Sequence, residues 1–352
     1  MKFTFDSRLK QGYYSACYFN KATHIVKKYR PNDVVCMQFM HFDNQIIKVC
    51  GINESVQLLK SCLTPSQLKN LKIYGRKDGD LVKGKTPVLL IFGYYQDFGY
   101  LENVIDGILA RRSSTCNNCS QMLKLIKSKQ LIYMADRTDD YLIQPYDGYA
   151  AYVAGVRNFV TDASVELFKS DKNIKVTGTI PHALIQLYDG NLNNAMKDYI
   201  NEYGSANSIA LIDYHNDVGS EIKKLSEQFH NIFAVRIDTS SNMIDKGINR
   251  LKNDKTAYGV SWQLIHYTRK MLDKYNMKDT KIIVSSGINN QKILNWKKHK
   301  CPIDFYGVGS NLITRNVHFT ADLVLKNNHH EAKTGRKLFI NINKLKTLKL
   351  YK

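Results

Sequence analysis

Polar residues follow six strand-like runs of this sequence, and these residues are the best candidates for chemistry. In a barrel of parallel strands the reactive groups sit at the carboxyl ends of the strands, so the six segments are expected to converge on one rim. Four of them offer arginine, aspartate or histidine, and the last two consist of small residues. The segments are Asp136-Arg137-Thr138, Gly178-Thr179-Ile180-Pro181-His182, Asp213-Tyr214-His215, Arg236-Ile237-Asp238-Thr239-Ser240, Ser285-Ser286-Gly287 and Gly307-Val308-Gly309-Ser310.

The last two segments, rich in glycine and serine, predict a phosphate site. Small residues let backbone N–H groups approach a phosphate, and a helix that starts directly afterwards, here near Asn290, adds its positive end. Phosphate binding after the final two strands recurs in barrels of this kind. The alternative is that both segments are ordinary turns that need glycine for their geometry. The candidate phosphate-binding residues are Ser286, Gly287, Gly307, Gly309 and Ser310.

Two arginines, an aspartate and a histidine complete the set of candidates. Arg137 and Arg236 offer planar guanidinium groups that suit a carboxylate or a phosphate. Asp238 follows Arg236 by two residues and therefore points to the same side of the strand, where it would bind sugar hydroxyls, help to hold a metal, or simply pair with Arg236. His182 is either structural or exposed, or else a base or a nucleophile that takes phosphate on a ring nitrogen.

The composition indicates a folded protein with an anionic partner. The chain has 352 residues, 43% of them hydrophobic, and 51 Lys+Arg against 31 Asp+Glu give a net charge of +20. This excess favours an anionic polymer or small molecule, although a lysine-rich solvated surface explains it equally well. The sequence contains no Walker A, GxGxxG or HExxH motif, no nucleic-acid-binding motif, and no apolar run long enough to cross a membrane.

The seven cysteines are scattered, and the first residues show no apolar signal segment, so we expect free thiols in a reducing cytoplasm. Cys116-Asn117-Asn118-Cys119 is a single CxxC with no second pair and no nearby histidine. A zinc site is therefore not expected, and no residue is assigned as a metal ligand.

Strand-like and helix-like segments alternate from about residue 130, which predicts parallel strands with crossover helices. Some six such units favour an incomplete (β/α) barrel, and a doubly wound sheet is the competing arrangement. We expect an α/β protein with a discontinuous α+β sandwich domain at residues 1–115 and 315–352 and a barrel-like catalytic domain at 116–314. The predicted barrel strands are Leu131–Ala135, Ile174–Thr177, Ser208–Asp213, Phe233–Asp238, Lys281–Ser285 and Asp304–Val308.

The strand-end motifs resemble those of nicotinate phosphoribosyltransferases, which are type II phosphoribosyltransferases, and particularly those of their shorter, archaeal-type branch. Motif order and spacing agree from about residue 85 to 340, whereas Ser15-Ala16-Cys17-Tyr18-Phe19 near the start fits only partly. The matching motifs are Gly178-Thr179-Ile180-Pro181-His182, Ala210-Leu211-Ile212-Asp213, Val235-Arg236-Ile237-Asp238, Ile283-Val284-Ser285-Ser286-Gly287, Phe305-Tyr306-Gly307-Val308-Gly309-Ser310, Ala321-Asp322-Leu323-Val324 and Ala332-Lys333-Thr334-Gly335-Arg336.

The resemblance implies an enzyme of NAD salvage. It would join nicotinate to 5-phosphoribosyl-1-pyrophosphate (PRPP) in the presence of Mg²⁺, yielding nicotinate mononucleotide and pyrophosphate. ATP would be a co-substrate, hydrolysed through a phosphohistidine at His182, with Asp238 as a second catalytic residue. The implied enzyme is a cytoplasmic homodimer or higher homo-oligomer with shared active sites, and it has neither a membrane nor a nucleic acid as partner.

Substrate contacts are likewise implied by the resemblance. Arg236 and Thr179 would hold the nicotinate carboxylate, and Tyr18 would stack on the pyridine ring from across the dimer interface. The residues that would meet PRPP are Arg137 and Asp238, with Gly287, Gly309 and Ser310 at its 5′-phosphate.

Three positions depart from the family pattern, namely Ala16, Ala183 and Tyr214. The family has Asp at the position of Ala16, often Ser at the position of Ala183, and Thr at the position of Tyr214. We expect these departures to affect the coupling to ATP hydrolysis more than the phosphoribosyl transfer itself. The remaining alternatives are a nicotinamide or quinolinate phosphoribosyltransferase and, from a different class, a basic nucleic-acid-binding protein. Quinolinate ranks lower because its second carboxylate calls for more cations than the motifs supply.

Overall fold

The computed structural model describes residues 2–338 and 345–348 of the chain. Within these ranges it contains a seven-stranded parallel sheet, a six-stranded antiparallel sheet and a two-stranded ribbon. The strands are β1 Val34–Met40, β2 Ile46–Lys48, β3 Lys72–Gly75, β4 Leu81–Lys83, β5 Leu89–Tyr94, β6 Leu131–Tyr133, β7 Asn158–Phe159, β8 Lys175–Val176, β9 Ile209–Leu211, β10 Ala234–Ile237, β11 Lys281–Val284, β12 Phe305–Val308, β13 Thr320–Lys326, β14 His329–His330 and β15 Lys346–Thr347. The helices are α1 Cys17–Tyr29, α2 Ile52–Cys62, α3 Pro65–Lys69, α4 Tyr95–Phe98, α5 Glu102–Leu123, α6 Gln144–Ala154, α7 Asp162–Val165, α8 His182–Leu187, α9 Leu192–Tyr203, α10 Val218–Ser226, α11 Trp262–Lys274 and α12 Asn290–Lys298.

The parallel sheet is a barrel that does not close. Its strand order is β9-β10-β11-β12-β6-β7-β8, so the strands follow chain order around a circle that is broken between β8 and β9. A doubly wound sheet reverses its direction of growth at a switch point, and this order contains no such reversal. The prediction of an incomplete (β/α) barrel is therefore confirmed, and the structure adds β7, a two-residue strand that the sequence pattern did not indicate.

The antiparallel sheet combines both ends of the chain. Its order is β14-β13-β1-β5-β3-β15, in which β13 pairs with β1 and β15 pairs with β3. The tail thus rejoins the amino-terminal part as expected, although the end of the predicted extended run Lys337–Ile340 lies outside the described residues. Helix α5 runs across the predicted domain border between residues 115 and 116, so that border stays a prediction.

The two faces of the parallel sheet determine which side chains reach the barrel interior. Ile282 and Val284 of β11 share one large core cluster with helical residues such as Leu264, whereas Ile283 packs with Ala234 in a small separate cluster. Successive residues of a strand point to opposite faces, so the small cluster marks the interior. Arg236 and Asp238 follow Ala234 by two and four residues, so their side chains point to the interior side as well.

In the described part of the chain, no helix combines the length and the apolar character that a membrane span requires. All seven cysteines are free thiols, and Cys116 and Cys119 of the CxxC segment are buried in α5. Among the described residues, no group of three or more His, Cys, Asp and Glu side chains is arranged to hold a metal ion.

Candidate active site

A cavity of about 670 Å³ opens at the carboxyl ends of the parallel strands. Its walls come from the segments that follow β6, β8, β10, β11 and β12. This volume lies in the range of small-molecule sites. Most of the residues singled out from the sequence line it, namely Arg137, Thr179, Arg236, Asp238, Ser286, Gly287, Gly307, Gly309 and Ser310.

Arg236 is held from two sides and keeps free donors. Its Nη1 donates to Thr179 Oγ1 at 2.6 Å, and its Nη2 donates to Asp238 Oδ2 at 3.3 Å. Its Nε is buried and has no partner among the described residues. A guanidinium has five N–H donors, and the two observed bonds leave others unused where Arg236 lines the cavity. A bound carboxylate or phosphate would satisfy them and offset the burial of the charge.

Asp238 is fixed by a neighbouring strand end. Its Oδ1 accepts a hydrogen bond from Ser285 Oγ at 2.6 Å, while Oδ2 faces Arg236. Ser285 directly follows β11, the strand that pairs with β10. The carboxylate is therefore held in one orientation at the cavity wall, where its remaining lone pairs can accept hydrogen bonds from a ligand.

The two Gly/Ser turns lie in the same cavity because β11 and β12 are neighbours in the sheet. Ser286 and Gly287 both have left-handed backbone conformations, with φ values of 71° and 59°. A Cβ atom on Gly309 would lie 2.8 Å from the backbone oxygen of Met134. Glycine is thus required there by a close approach to the end of β6, which brings the turn to the rim.

The segment after β6, which carries Arg137, is held in place by a partly buried arginine of α5. Arg111 Nη1 contacts Asp139 Oδ2 at 2.7 Å, and its Nη2 contacts Asp147 Oδ2 of α6 at 2.6 Å. The Gln144 side chain, also from α6, donates to the backbone oxygen of Asp136 at 2.9 Å. These contacts fix the backbone of the loop on which the exposed Arg137 lies.

His182 lies beside the cavity as the first residue of α8, and it is not among the residues that line it. Its Nε2 is 3.5 Å from Asp213 Oδ1, a distance of an ion pair, and Oδ1 has no hydrogen-bond partner among the described residues. Burial raises the pKa of the Asp213 carboxyl, and His182 acts in the opposite direction. The imidazole is partly exposed, and its Nδ1 makes no hydrogen bond with the described part of the chain.

Curated proteins with similar sequences include nicotinate phosphoribosyltransferases. No family model matches the sequence. Over 68% of its length, the chain is 26% identical to the nicotinate phosphoribosyltransferase of Bacillus subtilis (strain 168), and the match covers 45% of that protein. The chain is similar to nicotinate phosphoribosyltransferases. It spans about half the length of the curated relatives that it matches.

Solved structures share the fold. The crystal structure of nicotinate-nucleotide pyrophosphorylase from Pyrococcus furiosus matches 96% of this chain and 81% of its own, with a TM-score of 0.79 and 24% identity. Human nicotinic acid phosphoribosyltransferase matches 90% of this chain and 75% of its own, with a TM-score of 0.66 and 11% identity. The resemblance to nicotinate phosphoribosyltransferases, first seen in the motifs, is thereby confirmed, and the structural likeness extends it to the fold.

Tyr18, to which the resemblance to nicotinate phosphoribosyltransferases assigns the pyridine ring, does not line the cavity of its own chain. It lies in the first turn of α1, and its side chain is 61% exposed. Helix α1 packs on α4 and the turn Gly99–Leu101, contains no buried residue, and also exposes Ile25 and Tyr29. The structure therefore does not bring Tyr18 to the cavity, and its contact with the pyridine from a second subunit stays a prediction.

Several lining residues received no role from the sequence. Asp136, Thr138, Ser240 and Ser285 all line the cavity. Each lies in a strand-end segment that the sequence singled out, so position alone would have identified them. Asp213 beside His182 was visible only as part of a motif, because its contact depends on how β9 and α8 meet in space.

Proposed function

We propose that this protein is a nicotinate phosphoribosyltransferase. The observation that carries the proposal is the single strand-end cavity that unites Arg236, Asp238 and Arg137 with the two Gly/Ser turns. The names of the curated relatives support it. The substrates would be nicotinate and PRPP, and the working form would be a cytoplasmic homodimer in which Tyr18 completes the partner's site.

Arg236 suits the carboxylate of nicotinate. The second hydrogens of its two Nη atoms can take both oxygens of a carboxylate, whereas nicotinamide offers one oxygen and an N–H₂ group that repels these donors. The pyridine nitrogen is already a competent nucleophile, so the transfer needs no strong general base. The protein must instead position the ribose and stabilise the charge that develops in the transition state. Arg137, Asp238 and backbone N–H groups can do both.

The residues of the cavity also fit Mg²⁺ bound to PRPP. This ion prefers oxygen ligands, keeps several waters and takes one or two protein carboxylates beside substrate phosphates. Asp136 and Asp238 are the carboxylates among the described lining residues and would hold it. When bound, Mg²⁺ would neutralise charge on the departing pyrophosphate.

His182 is the proposed phosphoryl acceptor. A proton on Nε2, directed to Asp213 Oδ1 at 3.5 Å, would leave the lone pair on Nδ1. Nδ1 would attack the γ-phosphorus of ATP, the bond from that phosphorus to the bridging oxygen would break, and ADP would leave. The phosphorylated ring keeps its Nε2 proton, and the Asp213 carboxylate offsets its positive charge. Water would later cleave the N–P bond and release inorganic phosphate.

A quinolinate phosphoribosyltransferase is the second candidate, because the Pyrococcus furiosus neighbour is a nicotinate-nucleotide pyrophosphorylase. Quinolinate carries two carboxylates beside the phosphates of PRPP. Among the described lining residues the cations are Arg137 and Arg236, and Arg236 already pairs with Asp238. This supply suits one carboxylate better than two.

A substrate panel tests the proposal. Purified protein is given PRPP and Mg²⁺ with nicotinate, nicotinamide or quinolinate, each with and without ATP, and pyrophosphate release is measured. We expect turnover with nicotinate and stimulation by ATP. Turnover with nicotinamide alone or with quinolinate alone would show that the protein is a phosphoribosyltransferase for that base instead. Absence of turnover, together with DNA or RNA binding that weakens steeply with salt, would favour the nucleic-acid-binding alternative.

His182→Ala is expected to abolish the stimulation by ATP and to leave a slow, ATP-independent transfer. The reason is that the variant loses the phosphoryl acceptor but keeps the cavity. Initial rates with and without ATP measure the effect, and His215→Ala, on the neighbouring loop, is the matched control. Equal stimulation of His182→Ala and wild type would contradict the assignment.

Ser285→Ala is expected to lower kcat by about tenfold, because the net contribution of a hydrogen bond to a charged group is about 1.5 kcal/mol. The variant loses the bond that holds Asp238 Oδ1 and leaves the backbone turn in place. Steady-state kinetics with saturating substrates measure it, and Ser285→Thr, which keeps the hydroxyl, should recover most of the rate. A Ser285→Ala enzyme with unchanged kcat would show that Asp238 needs no such support.

A further inference from the structure

Lys292 lies against the first of the two Gly/Ser turns. It is the third residue of α12, and its Nζ donates to the backbone oxygen of Ser286 at 3.1 Å. The position of a Cβ atom on Gly287 is 3.6 Å from the same nitrogen. The ammonium group therefore lies directly beside the Ser286–Gly287 turn.

The charge of this ammonium is not neutralised by the protein. Burial lowers the pKa of Lys292, and among the described residues no carboxylate forms an ion pair with it. The ammonium group donates one hydrogen bond to the Ser286 backbone oxygen, which is a neutral carbonyl. This bond uses one of the three N–H donors of the ammonium group. A partly desolvated cation without a counter-ion is unfavourable, so an anion at the turn would stabilise it.

Other features of the turn favour a phosphate as that anion. Ser286 and Gly287 line the cavity in left-handed conformations, and α12 begins directly after them with Asn289 as its N-terminal cap. Lys292 is not among the residues that line the cavity, but its ammonium group and the positive end of the helix both lie beside this turn. We propose that Lys292 is a substrate-binding residue that supplies the positive charge for the 5′-phosphate of PRPP at the Ser286–Gly287 turn. The identity of this phosphate rests on the proposed function.

A purely structural role for Lys292 is the competing explanation. In that case the bond to Ser286 only fixes the turn, and its loss would lower stability and weaken every ligand of the cavity alike. Charge binding predicts a selective loss instead. Ribose 5-phosphate carries the 5′-phosphate and lacks the pyrophosphate, whereas pyrophosphate alone lacks the 5′-phosphate, so the two ligands separate the explanations.

The test measures the binding of ribose 5-phosphate and of pyrophosphate with Mg²⁺ by titration calorimetry. The variants are Lys292→Met, which removes the charge, Lys292→Arg, which keeps it, and Lys298→Met, an exposed lysine at the other end of α12 as the matched control. For Lys292→Met we expect ribose 5-phosphate to bind about tenfold more weakly and pyrophosphate to be unchanged. Lys292→Arg and Lys298→Met should resemble wild type with both ligands.

Two results would overturn the assignment. One is an unchanged affinity of Lys292→Met for ribose 5-phosphate, or an equal loss for both ligands. The other is a wild-type protein that binds no ribose 5-phosphate. If Lys292→Met does not fold, Lys292→Gln provides the same comparison, and thermal unfolding monitors both. Failure of the proposed function is seen separately, as absence of pyrophosphate release from nicotinate and PRPP by the wild type.

Discussion

Replacing Arg236 with alanine is expected to raise the KM for nicotinate by about thirtyfold or more, equivalent to about 2 kcal/mol. The guanidinium is mostly buried, and its unused Nη hydrogens would bind the nicotinate carboxylate, a contact that alanine cannot make. The KM for PRPP should change little, because other residues hold its phosphates. Steady-state kinetics in which each substrate is varied in turn measure the effect.

Arg137→Ala is the matched control, since Arg137 is the other arginine that lines the cavity. It should show the opposite pattern, with a raised KM for PRPP and an unchanged KM for nicotinate. Arg236→Lys should recover only part of the affinity, because a lysine cannot bind a carboxylate through two parallel N–H bonds. A normal nicotinate KM in Arg236→Ala would remove this residue from the nicotinate pocket.

The second large effect is expected at the turn after β12. Gly309→Ala should lower kcat/KM for PRPP by about 100-fold, because a displacement of about 1 Å at a reacting group costs that much. The added Cβ would lie 2.8 Å from the backbone oxygen of Met134, and backbone cannot move aside as a flexible side chain can. The turn that carries Ser310 must therefore shift from its position at the rim.

Gly178→Ala provides the control for this prediction. Gly178 lines the same cavity, but a Cβ atom there has no heavy atom within 4 Å. Activity close to wild type is expected for this variant, and thermal unfolding should show that both variants fold. Equal activity of Gly309→Ala and Gly178→Ala would mean that the close approach at Gly309 does not matter for PRPP.

The barrel was predictable from sequence because most of its strands are buried on both faces. Ile209–Leu211 and Lys281–Val284 appear as nearly continuous apolar runs, and such runs are typical of parallel strands covered by helices. Asn158–Phe159 has only two residues and was missed, because so short a segment has no period to detect. Where the barrel opens, between β8 and β9, depends on strand pairing over long distances, which no local pattern reports.

The candidate site was predictable to the level of strand ends and no further. Arg236, Asp238 and the two Gly/Ser turns were found because barrel chemistry gathers at one rim. The contacts that orient these residues could not be predicted, because each joins different elements or depends on the geometry of a turn. They are the contacts of Ser285 with Asp238, Arg111 with Asp139 and Lys292 with Ser286. Such pairings follow from register and packing.

A crystal structure of the protein soaked with PRPP would show where the 5′-phosphate binds. We expect it within hydrogen-bond distance of the backbone N–H groups of both turns, Ser286-Gly287 and Gly309-Ser310, with the pyrophosphate toward Asp136 and Arg137. A 5′-phosphate bound away from these turns, or PRPP bound outside the strand-end cavity, would contradict it.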